Sequence, residues 1–338
     1  MGGLCARCSA LAFSLTMLLA GSAAAETKLS FSLNSRFDGP SAPFLVAIDK
    51  GYYKSEGLNV SVEEAPAPVD AIKRVASGDY DMGVGDINAL MKFRDAHPDA
   101  PVKAIFMVYN KPPYAVIGRK SRGISGAKDL EGKKVGAPAG DSSFAQWPIF
   151  AGANGIDTKK VQIENVADPV RVPMLAAGQI DAITGFSFVA FVNLKERGVP
   201  VNDIVVMMMA DYGVTLYGDA VIVNRKFADA HPDAVKGFLR AYIKGLKEAV
   251  KAPAAAIDSV LKRSDDTRKE REIERLRMAY RDSIATAEVK AHGLGAIDRE
   301  RFVRAIDQID AAVGFKTKPK PEDIFDDSYL PSAAERKL

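Results

Sequence analysis

The stretches VASGDYDMGVGD (Val75–Asp86) and LAAGQIDAITGF (Leu175–Phe186) follow one pattern: a helix end, a glycine, a polar turn, an aspartate, a short strand and a loop. A glycine after an amphipathic run ends a helix, because it takes up left-handed backbone without steric cost. The apolar residues that follow are too few for a helix and read as a buried strand. The same rhythm extends around each copy. Leu29–Leu33, Val60–Glu64 and Asp81–Val84 are predicted strands, alternating with predicted helices at Pro43–Lys54, Pro68–Ser77 and Asp86–Arg94. A second series has predicted strands at Lys133–Ala137, Gln162–Asn165 and Ala182–Thr184, with helices at Phe144–Gly152 and Arg171–Gly178. Units of this length predict an α/β chain of two lobes, each a mainly parallel sheet flanked by helices.

Between the two series, Lys111-Pro112-Pro113 leads into Tyr114–Arg119, and Tyr217-Gly218-Asp219 leads into Ala220–Asn224. Both are extended segments flanked by Gly or Pro, and they are expected to carry the chain from lobe to lobe. Two crossings make the first lobe discontinuous, residues 26–114 with 220–338, and leave 115–219 to the second. Asp233–Lys251, Glu270–Thr286 and Arg299–Val313 have the spacing of amphipathic helices.

Residues 1–25 read as a signal peptide: Arg7 is the only charge, an apolar run follows, and Ala23-Ala24-Ala25 offers small residues for cleavage near Ala25. The protein is therefore expected to be exported. Both cysteines, Cys5 and Cys8, lie inside this segment. The chain after it has no disulfide, cysteine-ligated metal or thiol nucleophile to draw on. About 310 residues remain, enough for two lobes stabilised by burial alone. The formal charge of +3 gives no electrostatic case for nucleic acid or an anionic membrane. No later apolar run is long enough to be inserted in a bilayer. After Ala25 there is no HExxH, GxSxG or Walker-type loop. No catalytic residue, metal or cofactor is expected.

Open α/β sheets bind ligands beyond the carboxyl ends of their strands, so candidate residues are those in strand-end loops. Asn34, Arg36, Phe37 and Asp38 follow the first strand, where Asp38-Gly39-Pro40 also reads as a turn. Asp86 follows a strand and equally suits a helix N-cap. Gly140-Asp141-Ser142-Ser143 offers hydroxyls and free N–H groups at a helix start, and Asp141, Ser142 and Ser143 are candidates on that ground. Phe186 and Ser187 occupy the matching strand end of the second series. Tyr114 and Tyr212 lie near the crossings, where a ring can stack on a flat ligand or simply pack. Tyr52 and Tyr53 are read as packing residues, Trp147 as core, and His97 and His231, both in DAHPDA, as structural.

Six segments carry a resemblance to a known family. They are PFLVAIDKGYYKSEGLNV (Pro43–Val60), ASGDYDMGVGD (Ala76–Asp86), DLEGKKVGAPAGDSS (Asp129–Ser143), AGQIDAITGF (Ala177–Phe186), FADAHPDAVKGFLRAYIKGL (Phe227–Leu246) and FDDSYLP (Phe325–Pro331). In this order the chain resembles the periplasmic solute-binding proteins of ABC importers that serve nitrate, sulfonates, taurine and thiamine pyrimidine precursors. The resemblance implies a type II periplasmic binding protein fold with two hinge crossings. It also implies a periplasmic monomer that closes on a small molecule and delivers it to an ABC permease and its ATPase. A sensor presenting its ligand to a receptor would use the same surfaces. Some relatives on this fold are pyrimidine-forming enzymes with a Cys-rich motif and a reactive His; the chain after Ala25 lacks cysteine and shows no His in a strand-end loop. The aspartates on the candidate loops favour a flat nitrogen heterocycle, such as a thiamine pyrimidine precursor, over a small organic anion (a sulfonate, taurine or an aromatic carboxylate).

Overall fold

The computed structural model describes residues 26–265 and 267–338; the expected signal peptide, residues 1–25, lies outside the described residues. The described strands form two five-stranded sheets. The first has the order β2-β1-β3-β10-β4, with β1 at Thr27–Ser32, β2 at Leu58–Glu63, β3 at Met82–Asp86, β4 at Val102–Met107 and β10 at Asp219–Asn224. The second has the order β7-β6-β8-β5-β9, with β5 at Tyr114–Arg119, β6 at Lys134–Ala137, β7 at Gln162–Asn165, β8 at Ala182–Phe186 and β9 at Ile204–Met208. Both sheets are flanked by helices, and both are mixed. In the first, β1 is parallel to β2 and β3, and β10 runs antiparallel to β3 and β4. In the second, β6 is parallel to β7 and β8, and β5 runs antiparallel to β8 and β9. The antiparallel strand of each sheet is the one that arrives from the other lobe. Tyr114 already pairs in the second sheet and Asp219 in the first.

The sequence echo is a structural one. Gly78 and Gly178 both take left-handed backbone, with φ of 88° and 71°, after the Pro68–Ser77 and Asp168–Ala176 helices. Asp81 then accepts the Ser30 N–H of β1 at 2.8 Å, and Asp181 accepts the Lys134 N–H of β6 at 3.0 Å. In each lobe one carboxylate thus pins the start of a strand to its parallel neighbour.

The Pro43–Lys54 expectation resolves into a helix at Ala42–Asp49 and a separate turn at Tyr52–Ser55, because Gly51 between them has φ of 70°. Glu270–Thr286 likewise divides into a helix at Lys269–Ala279 and a π-helical turn at Tyr280–Ile284, and Thr286 caps a further helix at Ala287–His292. Neither β4 nor β9 has an alternating pattern, which is why periodicity does not reveal them. Their apolar runs, VKAIFM and IVVMM, fit a buried helix segment as well as a strand.

The first lobe's core is a chain of rings. Tyr53 stacks on Phe238 at 4.9 Å, Phe238 on Phe31 at 4.9 Å, and Phe44 on Tyr242 at 4.3 Å, while Phe31 and Phe44 meet at 4.9 Å. Phe31 lies on β1, Phe44 on the Ala42–Asp49 helix, and Phe238 and Tyr242 on the long Pro232–Lys251 helix. The loop that joins β1 to the first helix is therefore anchored at both ends. His97 and His231 each close a helix with the ring against a phenylalanine one turn earlier, Phe93 at 4.7 Å and Phe227 at 5.0 Å. Trp147 is buried, as expected, at 5 % exposure. Among the described residues no helix is long and apolar enough to cross a membrane.

Phe238 touches three other rings of this stack. Phe238→Ala is expected to lower unfolding free energy by about 3–5 kcal/mol, read by urea denaturation. A loss under 1 kcal/mol would mean that the stack does not hold the lobe.

Candidate ligand-binding cleft

The chain passes between the sheets at Val108–Pro113 and Met209–Gly218, and these crossings are tied side by side. The Asp219 carbonyl accepts the N–H of Val108 at 2.9 Å and of Tyr109 at 3.0 Å, and the Gly218 N–H donates to the Tyr109 carbonyl at 3.0 Å. Beside them lies a cleft of about 370 Å³ between the lobes. One wall comes from the loop after β1 (Asn34, Ser35, Asp38, Pro40 and Ser41) and from Pro66–Pro68 ahead of the next helix. The opposite wall comes from Pro138–Ser142 after β6 and from Phe186, Phe188 and Val189 at the end of β8. Tyr109 and Asp219 at the crossings complete it.

Aromatic rings dominate one side. Phe186 stands edge-on to Tyr109 at 6.4 Å and to Phe188 at 5.7 Å. This gives a planar ligand faces and edges to pack on.

Four aspartates and one arginine line the cleft: Asp38, Asp141, Asp168, Asp219 and Arg171. Two of the aspartates are compensated. Arg171, itself buried, bonds Asp141 at 2.6 Å and Asp168 at 2.7 Å. Asp141 also accepts the Phe144 N–H at 2.7 Å at the start of the following helix, the capping role its sequence position allows. The other two have no cationic partner in hydrogen-bond contact. Asp38 is held within its own turn: its Oδ1 accepts the Ser41 N–H at 3.0 Å. Removal from water pushes its carboxyl up to about 7, with repulsion from Glu272 adding to the shift and the Ser41 bonds and Arg275 opposing it. Asp219 is 3 % exposed. Its Oδ2 accepts from Asn34 Nδ2 at 2.9 Å, while its Oδ1 has no hydrogen-bond partner among the described residues. Burial, and then the nearby Asp86, raise it to about 7 as well.

Of the candidates read from the sequence, Asn34, Asp38, Asp141, Ser142 and Phe186 line the cleft. Arg36, Phe37, Asp86, Tyr114, Ser143, Ser187 and Tyr212 do not. Asp86 is committed elsewhere: its Oδ1 caps the Ile87–Ala96 helix through the Asn88 and Ala89 N–H groups at 2.7 and 2.9 Å, and its Oδ2 takes the Tyr114 hydroxyl. Burial raises the carboxyl of Asp86, and the Tyr114 bond opposes the rise. Tyr114 is wholly buried at 0 % exposure and forms part of the support under the cleft. Arg36 points into solvent, and Phe37 donates its N–H to Glu64. Ser143 is fully buried, and Ser187 begins the Ser187–Glu196 helix with its N–H on the Pro113 carbonyl at 2.8 Å. Tyr212 packs on Phe150 at 5.8 Å.

Tyr109, Phe188, Arg171 and Asp219 are cleft residues that the strand-end rule misses. Asp219 had a usable signal: a strand that crosses between lobes must begin at the cleft, and Tyr217-Gly218-Asp219 marks that beginning.

The architecture is that of the periplasmic binding proteins. The periplasmic aliphatic sulphonate binding protein SsuA from Escherichia coli matches with a TM-score of 0.68 at 13 % identity, over 92 % of this chain and 92 % of that one. The sequence model described as NMT1/THI5 like matches residues 39–256, and the chain belongs to that family. Riboflavin-binding protein RibY of Chloroflexus aurantiacus is 24 % identical over 87 % of this chain and 83 % of its own length. The formylaminopyrimidine-binding protein of Halalkalibacterium halodurans is 26 % identical over 65 % and 66 %. The 4-amino-5-hydroxymethyl-2-methylpyrimidine phosphate synthase of Schizosaccharomyces pombe is 26 % identical over 67 % and 66 %.

The raised carboxyls have a consequence for stability. Asp38 and Asp219 bind a proton more tightly in the folded protein, at about 7, than an ordinary aspartate does at 3.8. Their contribution is fully present below about pH 4 and is lost as pH rises through 7. Carboxylates shifted the other way, such as Asp49 and Glu131 at about 2, lose their contribution only below pH 4. The melting temperature of the ligand-free protein is therefore expected to rise from pH 8 to pH 5, and Asp219→Asn to flatten that slope. An unchanged slope in the variant would contradict the assignment.

Proposed function

We propose that this chain is the solute-binding component of an ABC-type importer: exported to the periplasm, it closes on a small molecule between its lobes and hands it to a membrane permease and its ATPase. Its ligand is a flat nitrogen heterocycle bearing an amino group, of the thiamine pyrimidine precursor class. The observation that carries the ligand reading is Asp219, a buried residue of the cleft lining whose Oδ1 has no hydrogen-bond partner among the described residues. An unpaired buried acceptor is costly, and a ligand N–H relieves that cost. A carboxyl near pH 7 serves such a ligand in either form, accepting from an amino group when ionised and donating to a ring nitrogen when protonated. An anion meets the opposite situation, since Arg171, the one lining cation, is already occupied by Asp141 and Asp168.

Size supports a single ring. Small-molecule pockets run from ~300 to ~1,000 Å³, and about 370 Å³ is near the small end, which suits a substituted pyrimidine better than a tricyclic flavin with its side chain. Binding rather than synthesis is supported by the chemistry of the lining. The chain has no cysteine after Cys8, and no histidine lines the cleft.

The test is a thermal-shift and calorimetric screen of the exported form against 4-amino-5-hydroxymethyl-2-methylpyrimidine, riboflavin, taurine and nitrate, since a ligand that binds only the folded state raises the melting temperature. The aminopyrimidine is expected to bind, and Asp219→Ala to weaken it about 10- to 100-fold, the range for a hydrogen bond to a charged group. Binding of taurine or nitrate without the aminopyrimidine would overturn the ligand reading and place the anion on Arg171.

A further inference from the structure

The Lys269–Ala279 helix belongs to neither cleft wall, yet it touches both. Glu272, in its first turn, is 2 % exposed. Its Oε2 accepts the Gly39 N–H at 2.8 Å, inside the loop that presents Asp38, Pro40 and Ser41 to the cleft. The loop lies directly on the helix: a Cβ added at Gly39 would sit 2.1 Å from the Glu272 carbonyl oxygen and 3.1 Å from the Leu276 nitrogen. On the other side, Glu272 Oε1 accepts from Arg275 Nη1 at 2.7 Å and from Arg271 Nε at 3.0 Å, and Arg275 Nη2 donates to Asn193 Oδ1 at 2.6 Å. Asn193 lies on the Ser187–Glu196 helix of the second sheet's lobe, whose first turn supplies Phe188 and Val189 to the opposite cleft wall. Two ion pairs flank this contact, Lys195 with Glu274 and Arg271 with Glu196.

We infer that Glu272 is a positioning residue for the first ligand loop, and that Arg275 makes its grip depend on the second lobe being in place. The bonds form a ring: cleft loop, Glu272, Arg275, Asn193, and back to the cleft through the Ser187–Glu196 helix. When the lobes part, Arg275 loses Asn193, and one of the two guanidinium groups that orient Glu272 loses its outer anchor. Lobe closure and the placing of Asp38 are then one event, and affinity is set partly by residues that never touch ligand. That consequence rests on the cleft being the ligand site. The ring of contacts does not.

The test uses the ligand-free exported protein, so it is independent of which solute binds. Amide hydrogen exchange at Gly39 reports the Glu272 bond, and exchange at Val221, in the middle of β10, reports global unfolding. Asn193→Ala is expected to speed exchange at Gly39 by about tenfold and to leave Val221 unchanged. An unchanged Gly39, or equal acceleration at both sites, would overturn the inference. A second variant separates position from charge. Glu272→Gln keeps the shape but removes the repulsion that Asp38 feels, so the Asp38 carboxyl, followed by NMR, should titrate below its wild-type midpoint. Its other neighbours stay in place: Ser41 in the loop, Arg275 on the helix, and Asp219 and Tyr109 at the crossings. An unmoved midpoint would show that Glu272 does not act on Asp38.

Discussion

The cleft depends on one carbonyl. Asp219 accepts the N–H groups of both Val108 and Tyr109, and Gly218 returns a bond to Tyr109, so the two chain crossings run as a single tied band. There is no space for a side chain at this point, since a Cβ on Gly218 would sit 2.9 Å from Tyr109 Cβ and 3.2 Å from Pro112 Cα. Because Asp219 belongs to that band, its side chain emerges at the junction of the lobes. The two crossings between the lobes thus hold the uncompensated carboxyl. In this arrangement Oδ1 is buried and lacks a donor among the described residues.

The cleft acids fall into two kinds, and the difference is geometric. Asp141 and Asp168 sit one on either side of Arg171, whose guanidinium fork reaches both, so one positive charge offsets part of their two negative ones. Asp38 and Asp219 share no cation and are driven toward neutrality by burial, with the charge of Glu272 adding to the shift at Asp38 and those of Asp86 and Asp38 adding at Asp219. A wall of rings beside this pair supplies dispersion without polarity. On the proposed reading, this arrangement suits a planar molecule with hydrogen-bond donors on one edge.

Much of the fold is legible in the sequence because it follows from local rules. The glycine-terminated helices and buried strands of Val75–Asp86 and Leu175–Phe186 mark equivalent places in two sheets of the same topology. The strands arriving from the other lobe, β5 and β10, show themselves by their Pro and Gly flanks. The mixed character of the sheets does not follow from local rules, because strand direction within a sheet is set by long-range pairing. The site is less legible for the same reason. Asn34, Asp38, Asp141, Ser142 and Phe186 follow from their positions after strands, but Asp86 and Tyr114 satisfy each other beneath the cleft. Arg171 is a helix residue whose role appears only when Asp141, thirty positions earlier, is brought against it. Sequence spacing carries no information about such partners.

The most direct measurement is a crystal structure of the protein with the small molecule that remains bound through purification from its native source. The predicted result is a ring packed beside Phe186 and Phe188 with a nitrogen of the ligand in hydrogen-bond contact with Asp219 Oδ1. A ligand oxyanion on Arg171, with Asp168 displaced and Asp219 Oδ1 still without a partner, would contradict the account.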